Sequence, residues 1–318
     1  MRQMGHDERR GLWLGVLGVA IFALTLPMTR LAVGTPQAPS MSGVFVAMGR
    51  AALAGLLSIV FLAVTRAPRP RRTSWPLLAL SCAGVVFGFP LFTSVAMRYV
   101  QAVHASVIVG VLPLATAVAG ALLQRQRPAA GFWACAALGA LLVAGYAVLH
   151  AGQGWRPQGA DLLLVAAMAS AAVGYACGAR LSQSMSAEHV ICWSLVAALP
   201  LTAPLALWTR PSAALPFSAW AAFGYVALFS QWIGFFAWYR GLALGGTVRV
   251  SQVQLVQPFL SMLFAVPLLG ERLDLLTLGF AAAVIATVFA GKKMPVRAAA
   301  GSSSRPSPVA ARKAGDAL

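Results

Sequence analysis

The chain has 318 residues and a mass of 33.1 kDa, with 59% hydrophobic and only 10% charged residues. Soluble domains carry about a quarter charged residues, so a soluble globule, a disordered chain and a disulfide-stapled secreted domain are all excluded. The net charge of +17, from 24 basic and 7 acidic residues, does not mark a nucleic-acid surface, because the positive charges gather in loops and tails on one side of a series of apolar stretches.

Those stretches recur at 11–29, 41–64, 75–97, 101–123, 130–149, 159–179, 189–208, 217–238, 246–268 and 274–291. A helix of about 20 apolar residues crosses about 30 Å of hydrocarbon. Helices also satisfy their backbone polar groups internally, and no run of short alternating strands points to a barrel. The sequence therefore predicts an all-α polytopic membrane protein with ten transmembrane helices. The first stretch has a basic start but no small-residue cleavage site, which makes it a retained helix. All seven acids (Asp7, Glu8, Asp161, Glu188, Glu271, Asp274 and Asp316) fall at span ends, in loops or in tails. With a cytoplasmic N-terminus, seventeen basic residues lie on the inner side and five on the outer: Arg30, Arg98, Arg156, Arg210 and Arg272. That asymmetry follows the positive-inside rule, and ten crossings return the C-terminus to the cytoplasm. Cys82, Cys135, Cys177 and Cys192 sit within spans as small apolar fillers, with no metal-ligand spacing. Scarce lysine (3 against 21 arginines) and abundant alanine point to a GC-rich bacterium, and the expected location is the bacterial inner membrane.

Sliding the chain by 145 residues superposes Trp75 on Trp220, Ser106 on Ser251, Pro113 on Pro258 and Gln126-Arg127 on Glu271-Arg272. The organisation this predicts is a cytoplasmic N-terminus (1–10), a first five-helix repeat (11–149), a linker (150–158), a second five-helix repeat (159–291) and a basic, disordered cytoplasmic tail (292–318). Five crossings are odd, so the second half enters from the opposite face and the halves are inverted repeats. Such units can exchange conformations around a mid-depth site, which is the geometry of alternating access. A duplicated scaffold without transport is the other reading.

Two stretches carry this pattern: Leu112-Pro113-Leu114 through Gln124-Arg125-Gln126-Arg127, and Gln257-Pro258-Phe259 through Leu269-Gly270-Glu271-Arg272-Leu273. Here the chain resembles the EamA family of the drug/metabolite transporter superfamily. Each half of that family ends in a helix with a mid-span proline, a Glu-Arg-like pair and a final Gly- and Ala-rich helix. The resemblance covers about 11–291 and implies ten helices in two repeats. Gln126 departs from it, standing where the family often has Glu.

Polar groups inside hydrocarbon are costly and point to pathways. In the ninth span Thr247, Ser251, Gln254, Gln257, Pro258 and Ser261 share an arc of about 120° on a helix. They either line a cavity or bond neighbouring helices. Pro258 and its counterpart Pro113 act as helix breaks, each removing one backbone hydrogen bond. The fourth span repeats the stripe with Ser106, Pro113 and Thr116, but Val109 and Leu112 replace the two glutamines. Polar contacts are therefore biased to the second half. His104, near a helix end, is either a structural hydrogen bonder or a proton-coupling group.

Arg50 lies about 13 Å into the second span, where burial costs on the order of 3 kcal/mol. No span-interior acid exists to pair with it, so its partners are carbonyls, amides, water or an anionic solute. Ser94, Tyr99, Tyr175, Trp232, Trp238 and Tyr239 complete the expected cavity wall. Gly11-Gly15 and Ser170-Gly174-Gly178, at four-residue spacing, read as close-packing positions. No phosphate-binding loop, metal motif or catalytic set is present. An intramembrane lipid-modifying enzyme would need partner acids that His104 and His150 do not show. The expectation is a permease or exporter of a small metabolite, such as an amino acid or related amphipathic solute. Its partners are that solute and the lipid bilayer; it works as a monomer or homodimer, with no nucleic acid, cofactor or metal.

Overall fold

The computed structural model describes residues 6–123, 127–150, 159–182, 184–245, 251–293 and 296–297. Among these, the only paired strands are the two-residue pieces Arg127–Pro128 and Val296–Arg297. The rest is helix and connecting turn. Seven helical segments are long and apolar enough to cross a membrane: Arg9–Val33, Gly43–Val64, Arg72–Ala96, Ala102–Leu123, Gly159–Leu181, Ala187–Trp208 and Phe217–Gly241. Three shorter apolar helices, Ala130–Tyr146, Val253–Leu269 and Leu275–Gly291, fall in the remaining predicted stretches.

Few of these helices are regular. The first bends between α1 (His6–Ala23) and α2 (Thr25–Val33). Pro27 has no N–H for the Ala23 carbonyl, and the Ser261 hydroxyl donates to that carbonyl instead. α3 (Gly43–Val64) starts at Ser42, whose Oγ accepts from the Phe45 N–H at 3.0 Å. α4 (Trp75–Cys82) and α5 (Phe89–Ala96) are joined through a π-helical turn at Ala83–Gly88. α6 (Ala102–Val109) and α7 (Leu112–Leu123) are separated by a turn just before Pro113. Next in the chain are α8 (Ala130–His150), α9 (Gly159–Leu181) and α10 (Ala187–Trp208). A second π-helical turn, Val226–Ile233, separates α11 (Phe217–Tyr225) from α12 (Gly234–Gly245). A 3₁₀ segment, Ser251–Val256, leads into α13 (Gln257–Leu269), and α14 (Leu275–Lys293) closes the bundle. The 145-residue offset that pairs Pro113 with Pro258 also carries the first π turn, 83–88, into the second, 226–233.

Polarity is arranged inside out relative to a soluble domain. Trp13, Leu17, Val60, Val64, Leu141, Trp208, Phe217 and Leu275 are exposed, whereas Thr25, Arg50, Ser58, Ser230, Gln231 and Gln254 are buried. A contiguous apolar exterior of this kind is stable only against lipid. Small residues let the helices approach. Gly241 of α12 faces Gly11 and Gly15 of α1, and a side chain built on it would meet the Gly15 nitrogen at 2.9 Å. α9 crosses the first π turn at Gly174, where a side chain on Gly84 would sit 2.8 Å from the Gly174 Cα and inside the Ser170 carbonyl oxygen. The expected packing role of Gly11, Gly15 and Gly174 is thus seen directly. Gly84→Ala and Gly174→Ala should each cost about 1–3 kcal/mol through overpacking. Gly279→Ala, with nothing within 4 Å, should be neutral; thermal unfolding of the detergent-solubilised protein compares the three.

Candidate functional site

The two proline breaks meet in space. A side chain on Gly110 would lie 3.2 Å from the Pro258 ring. The turn of the fourth segment therefore packs against the start of α13. Between them is a cavity of about 10 Å³ lined by Val109, Leu112 and Pro113 and by Gln254, Gln257 and Pro258. Each residue of the first trio is the 145-residue counterpart of one in the second. One side of the cavity is apolar and the other carries amides. Ser106 and Ser261 complete it, their hydroxyls donating to the Ala102 and Ala23 carbonyls.

A second cavity, about 20 Å³, shares Leu26, Val109, Leu112 and Gln257 with the first. It is lined by Thr25, Arg50, Tyr175, Ser230 and Gln231, with Phe22, Phe89 and Phe235 as aromatic wall. Arg50 is 1% exposed. Its Nη2 donates to the Ser230 Oγ at 2.9 Å, and that hydroxyl also bonds the Thr25 hydroxyl at 2.8 Å. The Gln231 amide nitrogen donates to the Val85 carbonyl at 3.1 Å, so a side chain of one π turn engages the backbone of the other. Arg50 Nε and Nη1, the Gln231 and Gln257 amide oxygens and the Gln254 amide nitrogen have no partner among the described residues. A volume of 20 Å³ holds roughly one water, so the helices must part to admit a solute. A larger hollow of about 420 Å³ lies elsewhere, at the surface beside the Arg240–Glu188 pair.

At one end of the bundle, acids of the second half tie down the first. The Glu271 carboxylate accepts from the Ala102 and Val103 N–H groups at 2.8 and 2.7 Å, capping α6. His104 Nε2 lies 2.7 Å from Asp161 Oδ1. The Tyr146 and Thr277 hydroxyls are 3.2 Å apart.

Of the expected site residues, Arg50, Ser106, Pro113, Tyr175, Gln254, Gln257, Pro258 and Ser261 line the two cavities. Ser251 lies on the 3₁₀ segment, and Thr247 falls outside the described residues. The others sit elsewhere. Tyr99 is exposed in the turn after α5. Ser94 is buried at the close approach of α3 and α5. Trp232 packs on Phe61 and Phe236. Tyr239, like Trp238, is buried among helices, its hydroxyl against Gly178. His104 is paired with Asp161, which corrects the reading that it has no partner acid. The residues not anticipated are Thr25, Ser230 and Gln231. Their signal was a polar residue within an apolar span, the same that singled out Arg50.

The EamA-like transporter family matches the chain twice, over residues 9–148 and 158–290. The chain belongs to that family, and it is a multi-pass membrane protein of the transporter class. Its relatives include the uncharacterized transporter YdeK of Bacillus subtilis (strain 168), 41% identical over 284 residues, covering 88% of this chain and 96% of that protein. The uncharacterized transporter YyaM of the same organism is 22% identical over 262 residues, covering 80% of this chain and 85% of that protein. A crystal structure at 19% identity and TM-score 0.57, covering 90% of this chain and 96% of that one, shares the fold.

A double-mutant cycle tests the tie between the halves. His104→Gln and Asp161→Asn should be non-additive in thermal unfolding by about 0.5–3 kcal/mol, the range for directly bonded pairs.

Proposed function

We propose that the protein moves a small amphipathic metabolite, of about the size of an amino acid, across the bacterial inner membrane by alternating access, in the outward direction. The polypeptide crosses ten times, as two five-helix halves of opposite orientation, with both termini in the cytoplasm. The observation that carries this reading is the cavity at the paired breaks. Its opposite walls are Val109, Leu112 and Pro113 and their counterparts Gln254, Gln257 and Pro258. A site at the junction of equivalent, discontinuous helices is the arrangement on which rocking-type transporters operate. The bias of seventeen inner against five outer basic residues supports the orientation. In that orientation the Glu271, His104–Asp161 and Tyr146–Thr277 ties close the outer end. Opening outward then means breaking bonds between the halves.

Single cysteines in the two tails should both react with an impermeant thiol reagent only from the cytoplasmic side. Purified protein in proteoliposomes should exchange at least one solute from a metabolite panel. Gln257→Ala should lower that flux by about tenfold or more while leaving the unfolding temperature within a few degrees, because it removes a solute contact and not a packing contact. Termini on opposite sides, or no flux for any solute in folded protein, would overturn the reading.

A further inference from the structure

We propose that the cavity around Arg50 is an anion site. It selects a solute with one carboxylate on a flat apolar body over the zwitterionic, neutral and cationic analogues of that body. This deepens the transport reading above and rests on it for the movement of the solute, though not for its binding.

The guanidinium of Arg50 is in an unusual position for a charge in a membrane protein. It is 1% exposed, and neither of the described ion pairs, His104–Asp161 and Arg240–Glu188, includes it. One of its three nitrogens bonds Ser230, and the other two have no partner among the described residues. A guanidinium presents a planar fork of donors that matches the two oxygens of a carboxylate. A buried charge left without a counter-charge is destabilising, and replacing it with a neutral group is often neutral or stabilising. Arg50 is therefore not explained as a packing element; it holds donors ready for an anion that comes and goes.

The rest of the lining states what the anion carries. Thr25, Tyr175, Ser230, Gln231 and Gln257 are neutral, and Phe22, Phe89 and Phe235 supply flat apolar surface. Arg50 is thus the sole charged side chain among the described lining residues. A monoanion brings the loaded cavity to zero charge, a zwitterion leaves one positive charge, and an amine brings two. Charge is expensive where the dielectric is low, so affinity falls in that order. The open amide oxygens of Gln231 and Gln257 can accept from an N–H or hydroxyl on the solute. They place the zwitterion second without matching a carboxylate's pull on an ammonium.

An anionic solute also answers the question of driving force. The sequence holds no phosphate-binding loop, and its acids fall at span ends, in loops or in tails. A monoanion needs neither such a loop nor a mid-span acid to leave a cell whose interior is negative, because each 100 mV corresponds to an outward concentration ratio of about 50-fold.

A matched phenyl series isolates the charge: 3-phenylpropanoate, phenylalanine, 3-phenylpropanamide and 2-phenylethylamine. Binding to the full-length protein in nanodiscs, by calorimetry and thermal shift, should follow the order acid, zwitterion, then amide and amine. Arg50→Gln should weaken the acid by tenfold or more and erase the order, with an unfolding temperature equal to or above that of the parent. Arg50→Lys should keep part of the preference. In proteoliposomes, efflux of the acid above protein-free vesicles should rise under an inside-negative potassium diffusion potential. Equal binding of acid and amide, stronger binding of the amine, no binding of any member, or an Arg50→Gln protein that unfolds without retaining a fold would each overturn the anion site. Transport of the amide or amine alone would leave the transport reading standing and remove the anion site. Arg50-dependent binding of the acid, with no flux of any metabolite, would do the reverse.

Discussion

In hydrocarbon a backbone N–H or C=O without a partner costs several kcal/mol. This chain gathers its departures from regular helix around one place, and bonds between segments take up some of the freed groups. Pro27 frees the Ala23 carbonyl and Ser261 of α13 takes it up. The first π turn offers the Val85 carbonyl to Gln231 of the second. The Tyr225 hydroxyl donates to the Ile21 carbonyl at 3.0 Å, beside the bend in the first segment. Each of these bonds joins parts distant in sequence, so the polar layer that makes a solute site possible also knits the helices together. Outside that layer the surface is left to apolar side chains.

The same constraint explains why the cavity is asymmetric. The breaks at Pro113 and Pro258 occupy matching positions in the 145-residue offset, yet the residues four and one before each proline are Val109 and Leu112 in one half and Gln254 and Gln257 in the other. Two amide walls facing each other across a space of about 10 Å³ would bond one another and close the cavity. An apolar wall opposite an amide wall leaves polar atoms open, as the Gln254 and Gln257 side chains are. Arg50 adds a charge whose insertion alone costs about 3 kcal/mol, and the Ser230–Thr25 pair meets only part of its hydrogen-bonding capacity.

How much of this was legible in the sequence depends on how far helical arithmetic holds. Apolar run length located the segments, and the 145-residue offset located the paired breaks, because both are local features that repeat. Gln254, Gln257, Pro258 and Ser261 were found together because they lie close along one stretch. The eighth segment departs from regular helix. Its π turn at Val226–Ile233 holds an extra residue, which rotates the remainder of the helix by about 100°. Aromatic type drew attention to Trp232 and Tyr239, while Ser230 and Gln231 are the residues that face the cavity. The His104–Asp161 bond joins positions 57 apart, and no spacing rule links them. Tyr99, of the same aromatic type, lies in a turn where its ring is exposed.

The two wide turns have a consequence for ancestry. A π turn arises when a residue is inserted into an existing helix, and the event is local, with no reason to strike twice at matching positions. Here it is found at 83–88 and again within 226–233, in two halves that each match the same family. The insertion therefore predates the duplication that gave rise to the two matching halves. The exchange of aliphatic for amide at Val109/Gln254 and Leu112/Gln257 is a later divergence, made beside the two prolines while the wide turns of other segments stayed as inherited.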